Sequence, residues 1–363
     1  MKAGFAKLIL AAGTAAVALL AGLNGSQAVQ AAQASTRAAS PPVLLSVRCI
    51  GNSFCLGTGR YGPAKHFIGL SEEWTGKAWR VIADPTGYQN DITCGGPTFC
   101  LASAAVGKKP ARELIWNGKT WRQLNPQPPA FGIGCLSPTF CVNSDTSDGS
   151  DGMYWNGKIW QDMPMGSGGC GGAWCDYSGV LCDSATICWD SGTDCATTDC
   201  DGGEISFNDV WNGTAWNVNN GPVIHSANQS CTGRAFCLTL NPPGAVISHD
   251  RGVTWQNTTT NLAAACRHLG SCAGAPDTSC GTPHFCLALA GAAGTLVWNG
   301  TKWGTAKLAL VSGHLPKLGG LSCGGPRNCV ALGTYQLNPR SAIRAVVEHW
   351  NGKAWAVTPI AKP

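Results

Sequence analysis

Charged side chains are scarce in this 363-residue sequence, and long apolar runs are missing from it after the first few dozen residues. Asp, Glu, Lys and Arg make up 12% of the chain, and the formal net charge is +5. No basic stripe interleaved with aromatic residues is present, so we expect no nucleic-acid partner. A membrane-spanning helix needs about 20 consecutive apolar residues, so we expect the mature protein not to span a membrane.

Familiar catalytic motifs are missing as well. The seven His residues form no His-x-x-x-His or comparable pair of metal ligands. No Gly-x-Ser-x-Gly sequence fits the strand-to-helix turn of a serine hydrolase. The lack of these motifs therefore favours a non-enzymatic protein.

The first residues predict an export signal. Lys2 and Lys7 flank a short basic start, residues 8–23 are an apolar run, and small residues follow around 26–34. This order of segments is typical of a secretory signal peptide. We predict a signal peptide over residues 1–32, cleaved between about 28 and 34, and a short linker over residues 33–42. The mature protein would be secreted from a bacterial cell.

One pattern recurs seven times: Cys-x5-Cys followed by Trp-Asn-Gly-x-x-Trp or a close variant. Successive units start 41 to 49 residues apart, a spacing typical of four-stranded propeller blades. We predict an all-β fold, a seven-bladed β-propeller of four-stranded antiparallel blades, as one domain over residues 43–363. The chain has no spare strand to close the ring by exchange, unless residues 33–42 supply one.

Twenty cysteines, an even number, in an exported chain predict disulfides rather than metal ligands. Cysteines six positions apart can face each other across a hairpin, and each bridge would add about 2 kcal/mol in the chain-entropy model. The predicted repeat pairs are Cys49 with Cys55, Cys94 with Cys100, Cys135 with Cys141, Cys182 with Cys188, Cys231 with Cys237, Cys280 with Cys286, and Cys323 with Cys329. If neighbours pair, the other bridges are Cys170 with Cys175, Cys195 with Cys200, and Cys266 with Cys272.

The tryptophan motif predicts a second hairpin in each unit. Asn-Gly at its centre favours a type I′ turn, in which both central residues have positive φ. Thirteen of the 15 Trp residues lie in this motif, and we interpret them as packing residues rather than a carbohydrate-stacking ladder. Of the two others, Trp189 follows Cys188 where other units have Leu or Val, which predicts a core position. Trp174 lies in a Gly-rich loop and is a candidate for an exposed stacking surface.

The fifth unit resembles a known motif. Ser248, Asp250, Gly252 and Trp255 match the Asp-box, Ser-x-Asp-x-Gly-x-x-Trp, of BNR-repeat, sialidase-like propellers. The whole chain is similar to exported bacterial propellers of this Asp-box group. The resemblance implies the fold and little about activity, since the Asp-box lies away from the catalytic face of the enzymes that contain it. Sialidases need an arginine cluster, a Tyr with a Glu partner and an Arg-Ile-Pro segment before the first blade, whereas this sequence has no such segment and only five Tyr.

The acidic residues are concentrated in one part of the chain. Residues 145–209 contain 12 acidic residues and one basic residue, a charge of about −11, against about +14 for the rest of the mature chain. In a four-stranded meander the second-to-third loops share one face, and binding usually resides in such variable loops. We predict a ligand site there, formed by Asp145, Asp148, Asp151, Trp174, Asp176, Asp190, Asp194, Asp199, Asp201 and Glu204.

The predicted site leaves several functions open. Asp145, Asp148 and Asp151 are weak candidates for Ca²⁺, because their spacing by three departs from the EF-hand pattern; no cofactor is otherwise required. We favour a monomeric binding or scaffolding module for a carbohydrate, a cell-envelope component or a cationic partner. One alternative is a glycoside hydrolase or lyase of the Asp-box propeller type, with a carboxylate pair such as Asp194 and Glu204. Another is a purely structural envelope protein.

Overall fold

The fold is a seven-bladed β-propeller, as the repeats predict. The computed structural model describes residues 40–63, 66–82, 88–105, 112–125, 133–143, 153–163, 174–195, 204–218, 229–232, 235–241, 244–250, 254–270, 272, 277–290 and 294–361. These residues form seven antiparallel sheets of four strands, and each sheet takes its strands in chain order. Each repeat of the sequence is therefore one blade.

The first four blades differ in strand length. Blade one contains β1 (Ser40–Ile50), β2 (Phe54–Gly62), β3 (Ile68–Trp74) and β4 (Trp79–Val81). Blade two contains β5 (Tyr88–Gly96), β6 (Phe99–Ala105), β7 (Arg112–Trp116) and β8 (Trp121–Gln123). Blade three contains β9 (Ile133–Ser137), β10 (Phe140–Asn143), β11 (Met153–Trp155) and β12 (Trp160–Asp162). Blade four contains β13 (Trp174–Ser184), β14 (Ile187–Cys195), β15 (Glu204–Trp211) and β16 (Trp216–Val218).

The last three blades follow the same plan, with one short helix between two of them. Blade five contains β17 (Gln229–Thr232), β18 (Phe236–Asn241), β19 (Gly244–Ser248) and β20 (Gln256–Asn257). The helix α1 (Leu262–His268), which the sequence did not predict, follows it. Blade six contains β21 (Thr278–Thr282), β22 (Phe285–Leu289), β23 (Gly294–Trp298) and β24 (Trp303–Lys307). Blade seven contains β25 (Lys317–Gly325), β26 (Asn328–Tyr335), β27 (Arg344–Trp350) and β28 (Trp355–Thr358).

The described strands close the ring without exchange between blades. The first strands of successive blades are neighbours around a central channel, and β25 of blade seven lies beside β1 of blade one. The idea that residues 33–42 add a strand to another blade is not supported by the residues described, because Ser40 already belongs to β1 and pairs with Gly62. The strand β1 therefore begins at Ser40, inside the segment predicted as a linker.

The first hairpin of every blade is closed by the predicted disulfide. In each, the two cysteines lie directly opposite each other, with Cα atoms 3.9–4.1 Å apart. Cys266 and Cys272 form an eighth bridge, which ties α1 to the segment after it. Cys170 and Cys200 lie outside the described residues, so their pairings with Cys175 and Cys195 stay predictions.

The second hairpin has the predicted position but a different turn. Its two Trp residues face each other and enclose four residues, as in Trp116 and Trp121. The Asn117 side chain accepts hydrogen bonds from the amides of Lys119 and Thr120, at 2.9 and 2.8 Å. Only the Gly has positive φ, +88° at Gly118. The type I′ prediction was wrong because the Asn side chain caps the turn, which holds the Asn backbone in an ordinary conformation.

The tryptophans pack the blades, as predicted. The two Trp rings of a hairpin lie 5.5–6.0 Å apart in tilted pairs. The first Trp caps its own blade, as where Trp116 Nε1 donates to the carbonyl of Pro97. The second reaches the preceding blade, as where Trp355 Nε1 donates to Thr295 Oγ1. Trp189 is also buried, 4% exposed, in agreement with its predicted core position.

A repeated hydrogen bond links the innermost strands. The residue before the first Cys of a blade is Ser or Thr in four blades, and its hydroxyl accepts the amide of the first Cys of the next blade. The four bonds are Thr93 with Cys135, Ser230 with Cys280, Ser279 with Cys323, and Ser322 with Cys49, at 2.8–3.0 Å. The last of these crosses from blade seven to blade one.

The junction of blades seven and one, called the seam here, has a polar centre of its own. Six blades have Phe or Ile before the second Cys, but blade seven has Asn328, which is completely buried. The Asn328 amide donates to the carbonyls of Gly51 and Phe54 at 3.0 and 3.2 Å. Its oxygen contacts His349 Nε2 at 3.1 Å, and the His349 ring lies 4.5 Å from that of Trp74. These contacts join the two ends of the ring.

Candidate functional site

Like blade one, blade four has long strands on the side of its second-to-third loop. Its first three strands have 11, 9 and 8 residues, against 5, 4 and 3 in blade three. The extension carries Trp174, Asp176, Asp194 and Glu204 of the predicted site, and Asp190 lies nearer to the disulfide in β14. The sequence analysis placed these residues in loops. That placement was wrong, because β13 and β14 continue their pairing beyond the length of the neighbouring blade.

The strand register gives the arrangement of these positions. Trp174 stands opposite Cys195, which in turn stands opposite Glu204. Residues that are paired across the strands form one row, and Asp176 is two rows further in, opposite Thr193. Because rows alternate between the two faces of a sheet, the positions of Trp174, Asp176 and Glu204 belong to one face of blade four and those of Asp190 and Asp194 to the other. The structure therefore brings Trp174, Asp176, Asp194 and Glu204 to one end of one sheet but divides them between its faces, while Asp190 lies four rows from Asp194 towards the disulfide.

The other five predicted residues are not tested by the structure. Asp145, Asp148, Asp151, Asp199 and Asp201 lie outside the described residues. Within the ranges that are described, no three His, Cys, Asp or Glu residues are grouped so as to hold a metal ion. The Ca²⁺ site therefore stays a prediction.

A second candidate is a pocket in the central channel. It has a volume of about 320 Å³ and is lined by the innermost strands of blades one, five, six and seven. Its polar lining includes Ser46, Arg48, Gln229, Ser230 and Asp277. None of the described lining residues is aromatic. This pocket is called the channel pocket below.

Strand ends position the functional groups of the channel pocket. Asp277 directly precedes β21, and its backbone carbonyl accepts the amide of Leu289. Its carboxyl group is half-buried with no partner among the described residues, and burial raises its pKa. Gln229 begins β17 and is 5% exposed, and its side chain makes one weak contact, at 3.4 Å, with Cys231 Sγ.

The sequence analysis missed the channel pocket. Arg48, Gln229 and Asp277 lie one, two and three positions before the first Cys of their units. In a propeller these are positions of the innermost strands, so a charged or amide side chain there was a usable signal. It was overlooked because the acidic segment dominated the charge pattern.

A third concavity lies between the outer parts of blades six and seven. It has a volume of about 530 Å³ and an open shape, with Lys302, Lys307 and Lys353 around it and Gly304 and Trp350 among its lining. The concavity is open beside Gly304, because a Cβ atom added there would contact almost no other atom. Its other walls are largely apolar, and no feature fixes an occupant.

Two buried carboxyl groups are structural. Glu72 and Glu348 lie two positions before the first Trp of blades one and seven, and both are completely buried. Glu72 accepts the amide of Ala361 and Glu348 that of Ala309, both at 3.1 Å, so each holds the segment that follows the preceding blade. Burial raises the pKa of each to about 7, although the hydrogen bond from the backbone amide opposes this shift.

The Asp250 turn of blade five is a compact hydrogen-bonded unit. Ser248 Oγ donates to Asp250 Oδ1 at 2.8 Å, and the same oxygen accepts the amide of Thr254. The hydroxyl of Thr254 donates to the other carboxylate oxygen. These bonds, chiefly those from Thr254, lower the pKa of Asp250. Asp250 thus takes the role that Asn has in the other turns, which is structural.

Comparisons with known proteins show the fold and no family. No family model matches the chain, and no curated protein matches it in sequence. Among solved structures, YCF48 bound to a D1 peptide is 16% identical with a TM-score of 0.51, covering 81% of this chain and 91% of its own. A puromycin-hydrolysing peptidase of Mycobacterium tuberculosis is 11% identical with a TM-score of 0.53, covering 87% of this chain and 52% of its own.

A third structural neighbour is a propeller domain by name. The Cps50 (Swd1) β-propeller domain of Myceliophteria thermophila is 9% identical with a TM-score of 0.50, covering 87% of this chain and 96% of its own. At such low identities the likeness concerns the fold alone. The described part of the chain has no helix that is long and apolar enough to cross a bilayer. The chain is thus similar in fold to β-propellers of several kinds.

Proposed function

We propose that this protein is an exported binding or scaffolding module whose ligand binds at the extended end of blade four. The observation that carries the proposal is the register, which gathers Trp174, Asp176, Asp194 and Glu204 at one end of a sheet. The segment containing them has a charge of about −11 in a chain of net positive charge. Such a surface attracts cationic groups. The ring, in which each blade has a disulfide across its first hairpin, would hold this surface in a fixed shape.

The ligand classes that fit are a carbohydrate of the cell envelope and a cationic envelope component. An acidic surface would bind a neutral or acidic glycan through Ca²⁺, for which Asp145, Asp148 and Asp151 are the candidates. It would bind a cationic partner directly. The fold shared with a peptide-bound YCF48 structure is compatible with a binding role. We propose that the module acts as a monomer.

A binding array tests this proposal. The oxidised protein, with and without Ca²⁺, is applied to cell-wall and plant polysaccharides and to cationic peptides. We expect binding that falls at least tenfold when Asp194, Asp199 and Asp201 are all changed to Asn, since charge-assisted bonds are lost. The control is Asp162→Asn, which removes an exposed charge from blade three of the same acidic segment. Equal binding by the triple variant and the wild type would refute the site.

Catalysis is the second candidate function. Asp194 and Glu204 lie at the same end of blade four, as a glycoside hydrolase or lyase would need. Their rows are adjacent, however, so their positions belong to opposite faces of the sheet. This favours binding over catalysis by that pair. A Glu204→Gln variant that binds a glycan but no longer cleaves it, while the wild type does, would reverse this preference.

We also propose that the protein is extracellular and that it belongs to the Asp-box group. The eight disulfides among the described residues and the predicted signal peptide favour an oxidising, extracellular location. The hydrogen bonds of Ser248, Asp250 and Thr254 support placing the chain in the Asp-box, BNR-repeat group. Expression of the full chain in a bacterial host tests export. A mature form in the medium that starts near residues 28–34 is expected, and retention of the intact chain inside the cell would contradict it.

A further inference from the structure

The channel pocket carries an inference that is independent of blade four. Innermost strands of a propeller have a hydrogen-bonded neighbour strand on one side only, so their other edge is directed towards the channel and adjacent blades. The first Cys amides at the four linked junctions are occupied by Ser or Thr hydroxyls. Ser230 and Ser279 line the pocket, and their hydroxyls, which accept these bonds, each still have a proton that can be donated.

The charges of the pocket restrict its ligand. Asp277 supplies a half-buried carboxyl group without a partner among the described residues, and Arg48 supplies a guanidinium group in the same lining. A buried carboxylate without a counter-charge is costly, as its raised pKa reflects, and an ammonium group would relieve that cost. Arg48 opposes a ligand of purely positive charge and matches a carboxylate geometrically.

The remaining lining excludes other ligand classes. No described lining residue is aromatic, so the platform on which sugars and bases usually stack is missing. The described lining has fewer than three acidic, His or free Cys side chains, so it offers a metal ion too few ligands. A volume of about 320 Å³ is at the lower end of the range for small-molecule sites, which suits a ligand smaller than an oligosaccharide.

We propose that the channel pocket binds a small zwitterion, an amino acid or a dipeptide, whose ammonium group contacts Asp277 and whose carboxylate contacts Arg48. Gln229, which lines the same pocket, supplies a further amide for hydrogen bonding. Its side chain is buried, and its weak contact with Cys231 leaves most of its hydrogen-bonding capacity unused. The site requires neither the residues of blade four nor Ca²⁺.

Ligand-side probes test the proposal without altering the protein. Free amino acids and dipeptides are titrated into the oxidised wild-type protein by calorimetry, beside N-acetyl derivatives that lack the ammonium group and amides that lack the carboxylate. We expect binding of at least one zwitterion, weakened at least about tenfold by either modification. Failure of every amino acid and dipeptide to bind would overturn the proposal. Equal binding of the N-acetyl derivative would do so too.

Variants then assign the contacts. Asp277→Asn is expected to weaken the zwitterion at least about tenfold and to leave the N-acetyl derivative unaffected. Arg48→Gln, at an exposed side chain, should weaken the zwitterion but not the amide. Asp162→Asn is the matched control, because it removes the same charge far from the channel. Unchanged affinity in Arg48→Gln and Asp277→Asn, with folding verified by the melting temperature, would refute the assignment.

Discussion

Glu72 and Glu348 are single residues whose protonation affects the stability of the ring. In each, one carboxylate oxygen accepts a backbone amide and the other has no partner among the described residues. Burial raises the pKa of both from 4.5 to about 7. Between pH 4.5 and about 7, both carboxyl groups are protonated in the folded protein and ionised in the unfolded chain. Their contribution to the stability of the fold is therefore fully present below pH 4.5 and is lost as the pH rises through about 7.

We predict that Glu348→Gln removes part of this pH dependence. A glutamine still accepts the amide of Ala309 but cannot ionise, so the variant should be more stable than the wild type at pH 8 by about 1–3 kcal/mol. The difference should shrink towards pH 5. Melting temperatures of the oxidised proteins across this range measure it. The control is Glu73→Gln, which changes the residue next to Glu72 that is ion-paired with Arg80, and this variant should show no such trend. Identical pH profiles for Glu348→Gln and the wild type would contradict the prediction.

At the same scale, the sequence predicted residues best where a repeat defined their surroundings. Trp189 was assigned to the core because six other units have Leu or Val at that position. Asp277 was missed although it lies three positions before the first Cys of its unit, because the acidic segment dominated the charge pattern. The role of Glu72 depends on Ala361, 289 positions away.

At the scale of the element, the blade joins its neighbour through the first strand. Ser279 of β21 accepts the amide of Cys323 in β25 at 2.8 Å. Blades one, three and four have Arg48, Gly134 and Leu181 at the equivalent position, so this hydroxyl bond is not available there. The junctions around the ring are therefore of two kinds.

We predict that Ser279→Ala destabilises the protein by about 1–2 kcal/mol, because it leaves the Cys323 amide without its acceptor. Chemical denaturation under oxidising conditions measures the change. Ser53→Ala makes the same substitution at an exposed turn and should alter the free energy of unfolding by less than about 0.5 kcal/mol. Equal effects of the two substitutions would show that the inner-strand bond contributes nothing.

The elements also show where sequence patterns mislead. Spacing alone predicted all seven cysteine hairpins and the pairing of the tryptophans. The turn type was wrong because Asn-Gly can form either a two-residue loop or part of a four-residue loop. Cross-strand pairing of Trp116 with Trp121 decides between them. The extension of β13 and β14 was hidden for a similar reason, since Gly-rich and acidic residues are usual in loops.

At the scale of the whole molecule, the ring depends on the seam. The exchanged strand suggested for residues 33–42 would have closed it with a sheet. The structure closes it instead with side chains, chiefly Asn328, Ser322 and Glu72. Sequence analysis could not find this arrangement, although Asn328 in place of Phe or Ile was visible in the repeats.

We predict that Asn328→Ala loosens the seam before other junctions. It leaves the carbonyls of Gly51 and Phe54 without a donor and should cost about 2–3 kcal/mol. Hydrogen exchange should increase in β1 and β25 and remain unchanged in β17 and β18 of blade five. The control is Asn338→Ala, at an exposed residue of blade seven that caps only its own loop. A uniform increase of hydrogen exchange in all blades would show that Asn328 has no local role.

The disulfides of the seven blades have a mechanical consequence. Each joins cysteines six positions apart within one hairpin, so none of them bridges two blades. A force that separates blade one from blade seven therefore meets no covalent bond at the seam. Each intact bridge would withhold only about 15–20 Å of chain from extension. Stretched in a single-molecule experiment, the oxidised ring should open at the seam and then lengthen blade by blade, almost as far as the reduced chain.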